Sequence, residues 1–290
     1  MVASIKKKIL IQLDTDRHPS VFDQVVAVDS GVDHIFSYGS VLPEHVRELV
    51  YGAIFTRAPE ELKYTAIFVG GSQLSVAEEI LETVKDTFFG PLSTSVMLDC
   101  GGCNTTAAAA VLCAGKEVRL KSTRCLVLGA TGPVGHRVVR LLAREKSTVA
   151  VGSREYTRAE SLCSSITQEM PQADLVPVST GTETSLKDAI KDAEVVVSAG
   201  TEGVVMLPED IRRGAPGIRV MIDLNAVPPL GIEGVQAAAK GEDLTGITCY
   251  GAIGVGGTKM KIHKKAIARL FESSKDVLDC QDVYELGLRS

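Results

Sequence analysis

Gly129-Ala-Thr-Gly-Pro-Val-Gly135 is the stretch of sequence that decides the fold. It follows an apolar run, Cys125 to Leu128, that has the character of a buried strand, and it opens a helix that continues to Arg144. A glycine string between a strand and a helix is typical of a dinucleotide-binding βαβ unit. Two residues separate the first two glycines instead of the usual one, so the loop is slightly wider. A glycine turn without a ligand is the alternative interpretation.

Each glycine of this loop has a distinct expected role. Gly129 allows the tight turn, Gly132 lets the backbone approach a pyrophosphate, and Gly135 lets the helix press against the strand. The N–H groups and the positive dipole end of the helix then hold the phosphate.

The end of the next strand indicates which dinucleotide is bound. An NAD site places Asp or Glu there, about 20 residues past the loop, to accept hydrogen bonds from the ribose. This sequence has Ser153 and Arg154 at that place, and Arg158 one helical turn further on. A guanidinium binds a 2′-phosphate bidentately, so the sequence predicts NADP as the cofactor. An ion pair of Arg154 on the surface is the alternative.

Further cofactor contacts are expected at the carboxyl ends of neighbouring strands. Asn225 belongs to the segment Asp223 to Gly231, whose Pro-Pro pair predicts a rigid loop that faces the cofactor, although a structural turn explains it nearly as well. The predicted cofactor-binding residues are Gly129, Thr131, Gly132, Pro133, Val134, Gly135, Ser153, Arg154, Arg158, Ala199, Asn225 and Gly254.

Strands and helices alternate along the whole chain, which is typical of βαβ units and parallel sheets. The candidate strands are Lys8 to Asp14, His34 to Tyr38, Thr65 to Val69, Ser95 to Leu98, Cys125 to Leu128, Val149 to Gly152, Leu175 to Val178, Val195 to Ala199, Val220 to Leu224 and Ile247 to Tyr250. We predict an α/β protein with an N-terminal α/β domain (1–103), a Rossmann-type doubly wound parallel sheet domain (104–258) and a cleft between them. The C-terminal helices (259–290) are expected to pack back onto the first domain.

Composition excludes several classes of protein. The chain has 290 residues, of which 45% are apolar and 23% charged, and its net charge is −5. It lacks the positive field that nonspecific nucleic-acid binding needs and an apolar stretch of the roughly 18 residues that span a bilayer. The start, Met1 to Lys8, lacks a signal-peptide core, and an odd count of seven cysteines disfavours a disulfide framework. We predict a cytoplasmic protein that binds neither nucleic acid nor membranes.

Polar residues after the first and fourth strands are candidates for a second ligand. Asp14, Thr15 and Asp16 stand just past the first strand, where open parallel sheets collect ligands. The two carboxylates could stabilise a developing cation or accept N–H groups of a heterocycle; they could also be plain loop carboxylates. Asn104 and Thr105 begin an Ala-rich helix at the expected domain junction, where capping alone explains them equally well.

A second glycine-rich segment, Gly251 to Gly257, leads into Lys259. Its glycines permit close approach of the backbone to a planar ring or an anion, and Gly257 is a candidate substrate contact. The last helix is predicted to run from Lys259 to about Ser274. A cation at a helix start is disfavoured by the dipole, so an anionic ligand would explain Lys259.

Cys100-Gly-Gly-Cys103 has the spacing of redox and zinc sites. A second such pair and paired histidines are both lacking in the sequence, so we predict no metal and leave the role of these cysteines open.

Taken together, these residues resemble the NADP-dependent methylene-tetrahydromethanopterin dehydrogenases of one-carbon metabolism in methylotrophic and related bacteria. The resemblance covers essentially the whole chain. It is carried by Leu13 to Asp16, Pro19 to Asp23, Thr65 to Gly71, Asn104 to Ala109, Gly129 to Gly135, Asn225 to Ile232, Gly254 to Gly257 with Lys259, and Leu270 to Ser274. The cysteine pair is not part of that pattern.

The resemblance implies a pterin held in the cleft, NADP as cofactor, homo-oligomers and no metal. Hydride passes from the methylene carbon to the nicotinamide and leaves a methenyl cation, so the protein mainly aligns the reactants. Asp14 or Asp16 is the candidate carboxylate beside that cation, and Lys259 positions the pterin. Thr15, Asn104, Thr105 and Gly257 complete the expected substrate contacts. Tetrahydromethanopterin and tetrahydrofolate remain unseparated.

Two other functions stay open at this point. A shikimate-type NADP-dependent dehydrogenase of similar build would reduce carbonyl substrates without any pterin. A non-catalytic NADP-binding sensor would bind the dinucleotide tightly and turn nothing over.

Overall fold

The computed structural model describes residues 6–289. It divides into two compact units: unit 1 comprises Met1–Thr105 and Met260–Ser290, and unit 2 comprises Thr106–Lys259. The predicted domain ranges also include residues 1–5 and 290, which lie outside the described residues. The cleft expected between the two domains stays a prediction.

The elements alternate as the sequence predicts. The strands are β1 (Ile9–Asp14), β2 (His34–Tyr38), β3 (Thr65–Gly70), β4 (Ser95–Leu98), β5 (Arg124–Leu128), β6 (Thr148–Ser153), β7 (Asp174–Ser179), β8 (Val195–Ser198), β9 (Val220–Asp223), β10 (Lys240–Leu244), β11 (Ile247–Tyr250) and β12 (Val277–Leu278). The α-helices are α1 (Val21–Asp29), α2 (Pro43–Ile54), α3 (Leu74–Thr87), α4 (Cys103–Glu117), α5 (Pro133–Arg144), α6 (Tyr156–Glu169), α7 (Glu183–Ile190), α8 (Glu209–Arg213), α9 (Ala252–Arg269) and α10 (Cys280–Leu288).

Unit 1 is built on a parallel five-stranded sheet in the order β12-β4-β3-β1-β2. Alternate residues of β1, β3 and β4 pack against α2 and α3 on one face, among them Leu13, Ile67 and Val96. On the other face, Phe68 of β3 stacks on His263 of α9 with ring centroids 5.9 Å apart. The strand order reverses between β1 and β3, so the loops after these two strands flank the switch point, where such sheets bind ligands.

The C-terminal part of the chain completes this sheet. The short strand β12, which the sequence analysis did not predict, pairs in parallel with β4. Ser95 Oγ donates a hydrogen bond to Ser273 O over 2.8 Å, and Val96 N donates to Asp276 O over 2.8 Å. Residues far apart in sequence therefore form one edge of unit 1.

Unit 2 has a seven-stranded sheet in the order β10-β11-β9-β8-β5-β6-β7. All neighbours are parallel except β10, which forms an antiparallel hairpin with β11. The six predicted strands are confirmed, whereas β10 was missed because KGEDL (Lys240–Leu244) is polar and mostly exposed. The sheet is doubly wound, as predicted, and the order reverses between β5 and β8, which places the β5–α5 loop at the switch point.

The last long helix differs from its prediction. It begins at Ala252 and ends at Arg269, not at Lys259 and Ser274. The glycines lower helix propensity and so concealed the first two turns. Within residues 6–289, no helix combines the length and apolar character needed to cross a membrane.

Candidate functional site

The glycine loop of unit 2 forms a cradle whose shape requires glycine. Gly129 has a φ of +69°, and a Cβ built there would lie 2.7 Å from Gly200 Cα. A Cβ at Gly135 would overlap Gly129 O and lie 2.8 Å from Ala130 Cα. Helix α5 therefore begins directly against the turn, with Gly132 as its N-cap and Pro133 as its first residue. Its first N–H groups form an anion-binding end, as expected for a pyrophosphate site.

A pocket of about 520 Å³ opens over this cradle. It is lined by Gly129, Thr131, Gly132, Pro133, Ser153, Arg154, Glu155, Arg158, Thr180, Ala199, Gly200, Thr201, Val204 and Met206. These residues come from the carboxyl ends of the neighbouring strands β5, β6, β7 and β8 and from the loops and first helical turns that follow them. The helix dipole, the glycine turn and the pocket together suit a dinucleotide that lies across the switch point.

Two guanidinium groups stand at the β6 end of this pocket. Arg154 and Arg158 are exposed and both line the pocket, while the Ser153 hydroxyl is buried and accepts a hydrogen bond from Glu155 N over 3.4 Å. Within the part of the chain that the structure describes, neither arginine forms an ion pair, with Glu155 or any other acid. Both charges are therefore available to an anionic ligand, as the 2′-phosphate of NADP requires.

The β8 end of the pocket is held by two tied loops. Met206 N and Leu207 N both donate to Gly231 O, over 2.7 Å and 2.9 Å. Gly231 belongs to the loop after β9, which contains a cis peptide bond between Pro228 and Pro229. The loop after β9 thereby supports the pocket wall that the loop after β8 forms.

The side chains of Asp223 and Asn225 bind within their own loop. Asp223 is buried and accepts hydrogen bonds from Asn225 N and Ile232 N, over 3.2 Å and 2.9 Å. Burial raises the pKa of the Asp223 carboxyl, and these N–H donors oppose that shift. Asn225 donates to Pro229 O over 3.1 Å and accepts from Val227 N over 2.9 Å. Asn225 thus shapes the loop that the sequence analysis expected to meet the cofactor.

The predicted cofactor residues divide into two groups. Those that line the pocket are Gly129, Thr131, Gly132, Pro133, Ser153, Arg154, Arg158 and Ala199, whereas Val134, Gly135, Asn225 and Gly254 do not. The pocket residues that were not predicted are Glu155, Thr180, Gly200, Thr201, Val204 and Met206. Their position just after a predicted strand of the same sheet was the signal that could have found them.

The glycines at the start of α9 are explained by packing inside unit 2. A Cβ at Gly254 would overlap Ala239 O, and one at Gly251 would overlap Gln236 O. Gly257 faces open space, with no atom within 4 Å of a Cβ built there. Lys259 is half-buried in the interior of the helix and not at its start, so the dipole argument for an anionic ligand was wrong.

Asp14 lies at the switch point of unit 1, but its carboxylate is sealed by the loop that follows. It is fully buried; Oδ1 accepts from Asp16 N over 2.9 Å, and Oδ2 accepts from Ser20 N over 3.0 Å. Gln12 Nε2 donates to Oδ2 as well, over 3.3 Å. These bonds fix the course of the chain from Asp14 to Ser20.

Thr15 and Asp16 join the β1 loop to the β3 loop. Thr15 Oγ1 accepts from Gln73 N over 3.2 Å, and Gln73 Nε2 donates to Thr15 O over 3.3 Å. Asp16 is half-buried, and its Oδ1 accepts from Ser72 Oγ over 2.7 Å. Neither Ser72 nor Gln73 was predicted from the sequence. Only the parallel pairing of β1 with β3 brings them to Asp16.

Asn104 and Thr105 lie in the first turn of α4 and do not cap it, so capping, one of the two explanations left open, does not account for them. The buried Asp99 supplies the acceptor: its Oδ1 binds Asn104 N and Thr105 N over 2.9 Å and 3.1 Å. Thr105 Oγ1 donates to Asp99 Oδ2 over 2.6 Å, and Asn104 Nδ2 donates to Leu98 O over 2.6 Å. Both side chains are buried, and their hydrogen bonds hold the first turn of α4, which belongs to unit 1, to the end of β4.

The cysteine pair belongs to the same turn. Cys100 and Cys103 are buried thiols that are not joined in a disulfide, and Cys100 Sγ donates to Gly71 O over 3.0 Å. Among residues 6–289, no three His, Cys, Asp or Glu side chains are arranged to hold a metal ion.

Two family models match different parts of the chain. A family model described as methylene-tetrahydromethanopterin dehydrogenase, N-terminal, matches residues 21–101, and one described as NAD(P)H-binding matches residues 129–279. An NAD(P)-dependent methylenetetrahydromethanopterin dehydrogenase of Methylorubrum extorquens strain AM1 is 30% identical over 97% of this chain and 98% of its own length. The chain belongs to the methylene-tetrahydromethanopterin dehydrogenase family.

A second relative agrees with this family. The bifunctional protein MdtA of the same organism is 42% identical over 98% of this chain and 99% of its own length. Among solved structures, shikimate 5-dehydrogenase of Listeria monocytogenes, in complex with shikimate and NAD, matches with a TM-score of 0.56 at 12% identity, over 99% of each chain. Quinate dehydrogenase of Corynebacterium glutamicum, in complex with NAD, matches with a TM-score of 0.53 at 14% identity, over 98% of this chain and 99% of that one. The structures confirm the predicted fold class, and the relatives confirm the predicted family.

Proposed function

We propose that the protein is an NADP-dependent methylene-tetrahydropterin dehydrogenase, which oxidises methylene-tetrahydromethanopterin or methylene-tetrahydrofolate to the methenyl form. The observation that carries the proposal is the joint occurrence of the family relationship along nearly the whole chain and the pocket at the switch point of unit 2. The relatives supply the substrate class, and the glycine cradle with its two arginines supports the cofactor.

The residues of unit 2 bind and orient the dinucleotide. The N–H groups at the start of α5 hold the pyrophosphate, and Arg154 and Arg158 bind the 2′-phosphate by charge-assisted hydrogen bonds. The pocket wall on the β8 side is formed by Ala199, Gly200 and Met206. The end of the dinucleotide that lies opposite the 2′-phosphate is directed toward this wall. Bound NADP supplies the hydride acceptor of the reaction.

In unit 1 we assign the electrostatic role to Asp16. A carboxylate beside the carbon that becomes cationic stabilises the transition state, because the opposite charges attract more strongly as the cation forms. Asp14 is fully buried and bonded by backbone N–H groups, so we assign it to holding the loop that carries Asp16. Thr15, Asn104 and Thr105 likewise shape the loops at this edge of the sheet.

The proposal is tested by mixing the protein with NADP and each methylene-tetrahydropterin in turn. We expect NADPH and the methenyl pterin to form in equal amounts, followed by their separate absorbance bands. The pterin with the higher kcat/KM identifies the substrate. Oxidation of shikimate or quinate, without turnover of either pterin, would identify a shikimate-type dehydrogenase instead. Tight NADP binding without any turnover would identify a sensor.

We propose that Lys259 positions the pterin. Its replacement by alanine is expected to raise KM for the pterin about tenfold, since one charge-assisted hydrogen bond is lost, while KM for NADP stays unchanged. Lys261→Ala is the matched control, because Lys261 is an exposed lysine of the same helix. Equal pterin kinetics in the two variants would remove Lys259 from the site.

We infer that the protein is a cytoplasmic homo-oligomer that associates through α1 and β2. Its sparse cysteines, seven in 290 residues, are typical of a cytoplasmic protein. Helix α1 exposes Val21, Val25 and Val28, whose spacing places them on one helix face. Strand β2 is an edge strand of the sheet and exposes Phe36 and Tyr38. An open apolar edge strand beside an apolar helix face favours association with another chain.

This inference predicts the effect of a charge on the α1 face. Val25→Glu is expected to shift the protein from oligomer to monomer, because association would bury the new carboxylate without a partner. Light scattering coupled to size-exclusion chromatography measures the change. Val176→Glu is the control, because Val176 is an exposed valine on the edge strand β7 of unit 2. A monomeric wild type, or an oligomer that survives Val25→Glu, would contradict the inference.

A further inference from the structure

We propose that Ser72 is a positioning residue that holds the carboxylate of Asp16 toward the substrate. This inference rests on the proposed function. Ser72 Oγ donates to Asp16 Oδ1 over 2.7 Å, across 56 positions of the sequence. The hydrogen bond joins the loops after β1 and β3, which flank the switch point of unit 1.

The two loops are locked together beside this bond. Gln73 makes two hydrogen bonds to Thr15, one from its backbone N–H and one from its side-chain amide. Gly71 has a φ of +99°, and a Cβ there would overlap Thr15 Oγ1 and lie 2.6 Å from Thr15 N. The backbone on both sides is therefore fixed, and Ser72 reaches Asp16 from a defined position.

The hydrogen bonds distinguish Asp16 from Asp14. The Asp14 carboxylate accepts from two backbone N–H groups and from Gln12, and it is fully buried. Asp16 is half-buried, and the hydrogen bond from Ser72 engages one of its two oxygens. Within residues 6–289, its second oxygen makes no hydrogen bond or ion pair, so that oxygen can face a ligand.

A fixed carboxylate contributes more to catalysis than a mobile one. Electrostatic stabilisation depends on groups that are already oriented when charge develops, because they need no reorganisation during the reaction. An aspartate on a loop samples several rotamers, and the Ser72 hydroxyl selects one of them. Ser72 thereby acts through Asp16 and touches neither substrate nor cofactor.

The test is a double-mutant cycle in the full-length protein, with kcat and KM measured for the methylene-tetrahydropterin and for NADP. Asp16→Asn is expected to lower kcat about 100-fold. Ser72→Ala is expected to lower kcat about tenfold, which corresponds to one hydrogen bond to a charged group. Ser72→Thr retains the hydroxyl and is expected to restore activity. In all three variants, KM for NADP is expected to stay at the wild-type value.

The double variant separates positioning from a structural role. If Ser72 acts through Asp16, adding Ser72→Ala to Asp16→Asn causes no further loss of kcat. A purely structural role would give a further loss in that background. Ser75→Ala is the matched control, since Ser75 is an exposed serine three residues away without a side-chain hydrogen bond among the described residues.

The outcomes distinguish this inference from the proposed function. Wild-type kinetics of Ser72→Ala, or additive losses in the double variant, overturn the role of Ser72 and leave the dehydrogenase activity intact. A wild-type protein that oxidises neither pterin overturns the proposed function and this inference with it.

Discussion

Arg154→Asp is expected to lower kcat/KM for NADP roughly 1,000-fold while that for NAD is retained or increased. The substitution removes a charge-assisted hydrogen bond to the 2′-phosphate and adds repulsion, together about 4 kcal/mol. The new carboxylate can accept the ribose 2′-hydroxyl of NAD, as acidic residues do at this place in NAD sites. Steady-state kinetics with both dinucleotides at a saturating pterin concentration measures the change.

Arg119→Asp is the control for this charge reversal. Arg119 is an exposed arginine of unit 2 that is not among the residues lining the pocket. Both substitutions change the net charge by the same amount. An equal loss of kcat/KM for NADP in the two variants would therefore reflect the overall electrostatic field of the protein. An unchanged preference for NADP in Arg154→Asp would show that the 2′-phosphate lies elsewhere.

Gly135→Ala is expected to weaken NADP binding roughly 100-fold, because its methyl group collides with backbone and not with a movable side chain. A Cβ at this position would overlap Gly129 O and lie 2.8 Å from Ala130 Cα, so α5 and the glycine turn must separate. Overpacking of this kind costs about 3 kcal/mol. The dissociation constant of NADP, by titration calorimetry, and the melting temperature together measure the effect.

Gly256→Ala provides the matched control. Gly256 also lies within a helix of unit 2, and a Cβ there has no heavy atom within 4 Å. Alanine raises helix propensity at such a site by about 1 kcal/mol, so NADP affinity should be kept and stability should rise. Comparable affinities of the two variants for NADP would show that NADP binding does not need the close approach of α5 to the glycine turn at Gly135.

Local sequence signals were sufficient for most of the fold. The apolar runs of β1, β3, β5 and β8 are short, flanked by polar residues and separated by helical periods. The predicted start of α9 was wrong for a physical reason. Glycine disfavours helices in isolation, but at Gly254 the neighbouring backbone of Ala239 leaves no room for a side chain. Tertiary packing, which the local sequence does not report, outweighed propensity there.

Prediction of the candidate site was also limited to what the local sequence reports. The glycine loop and Arg154 were predicted because their spacing within one βαβ unit is fixed by local geometry. Ser72 and Asp16 are far apart in sequence, and only the register that pairs Asp14 with Gly70 sets their loops side by side. The hydrogen bonds that seal Asp14 are likewise invisible in a sequence, because their donors are backbone N–H groups of a folded loop.

The pairing of β12 with β4 has a consequence for biosynthesis. Unit 2 is a continuous segment, Thr106–Lys259, whereas unit 1 needs residues from both ends of the chain. A nascent polypeptide therefore exposes the β4 edge until Val277 and Leu278 have themselves emerged from the ribosome, after all of unit 2. The amino-terminal sheet therefore reaches its final width only after Val277 and Leu278 are available to pair, and not with the synthesis of the first hundred residues.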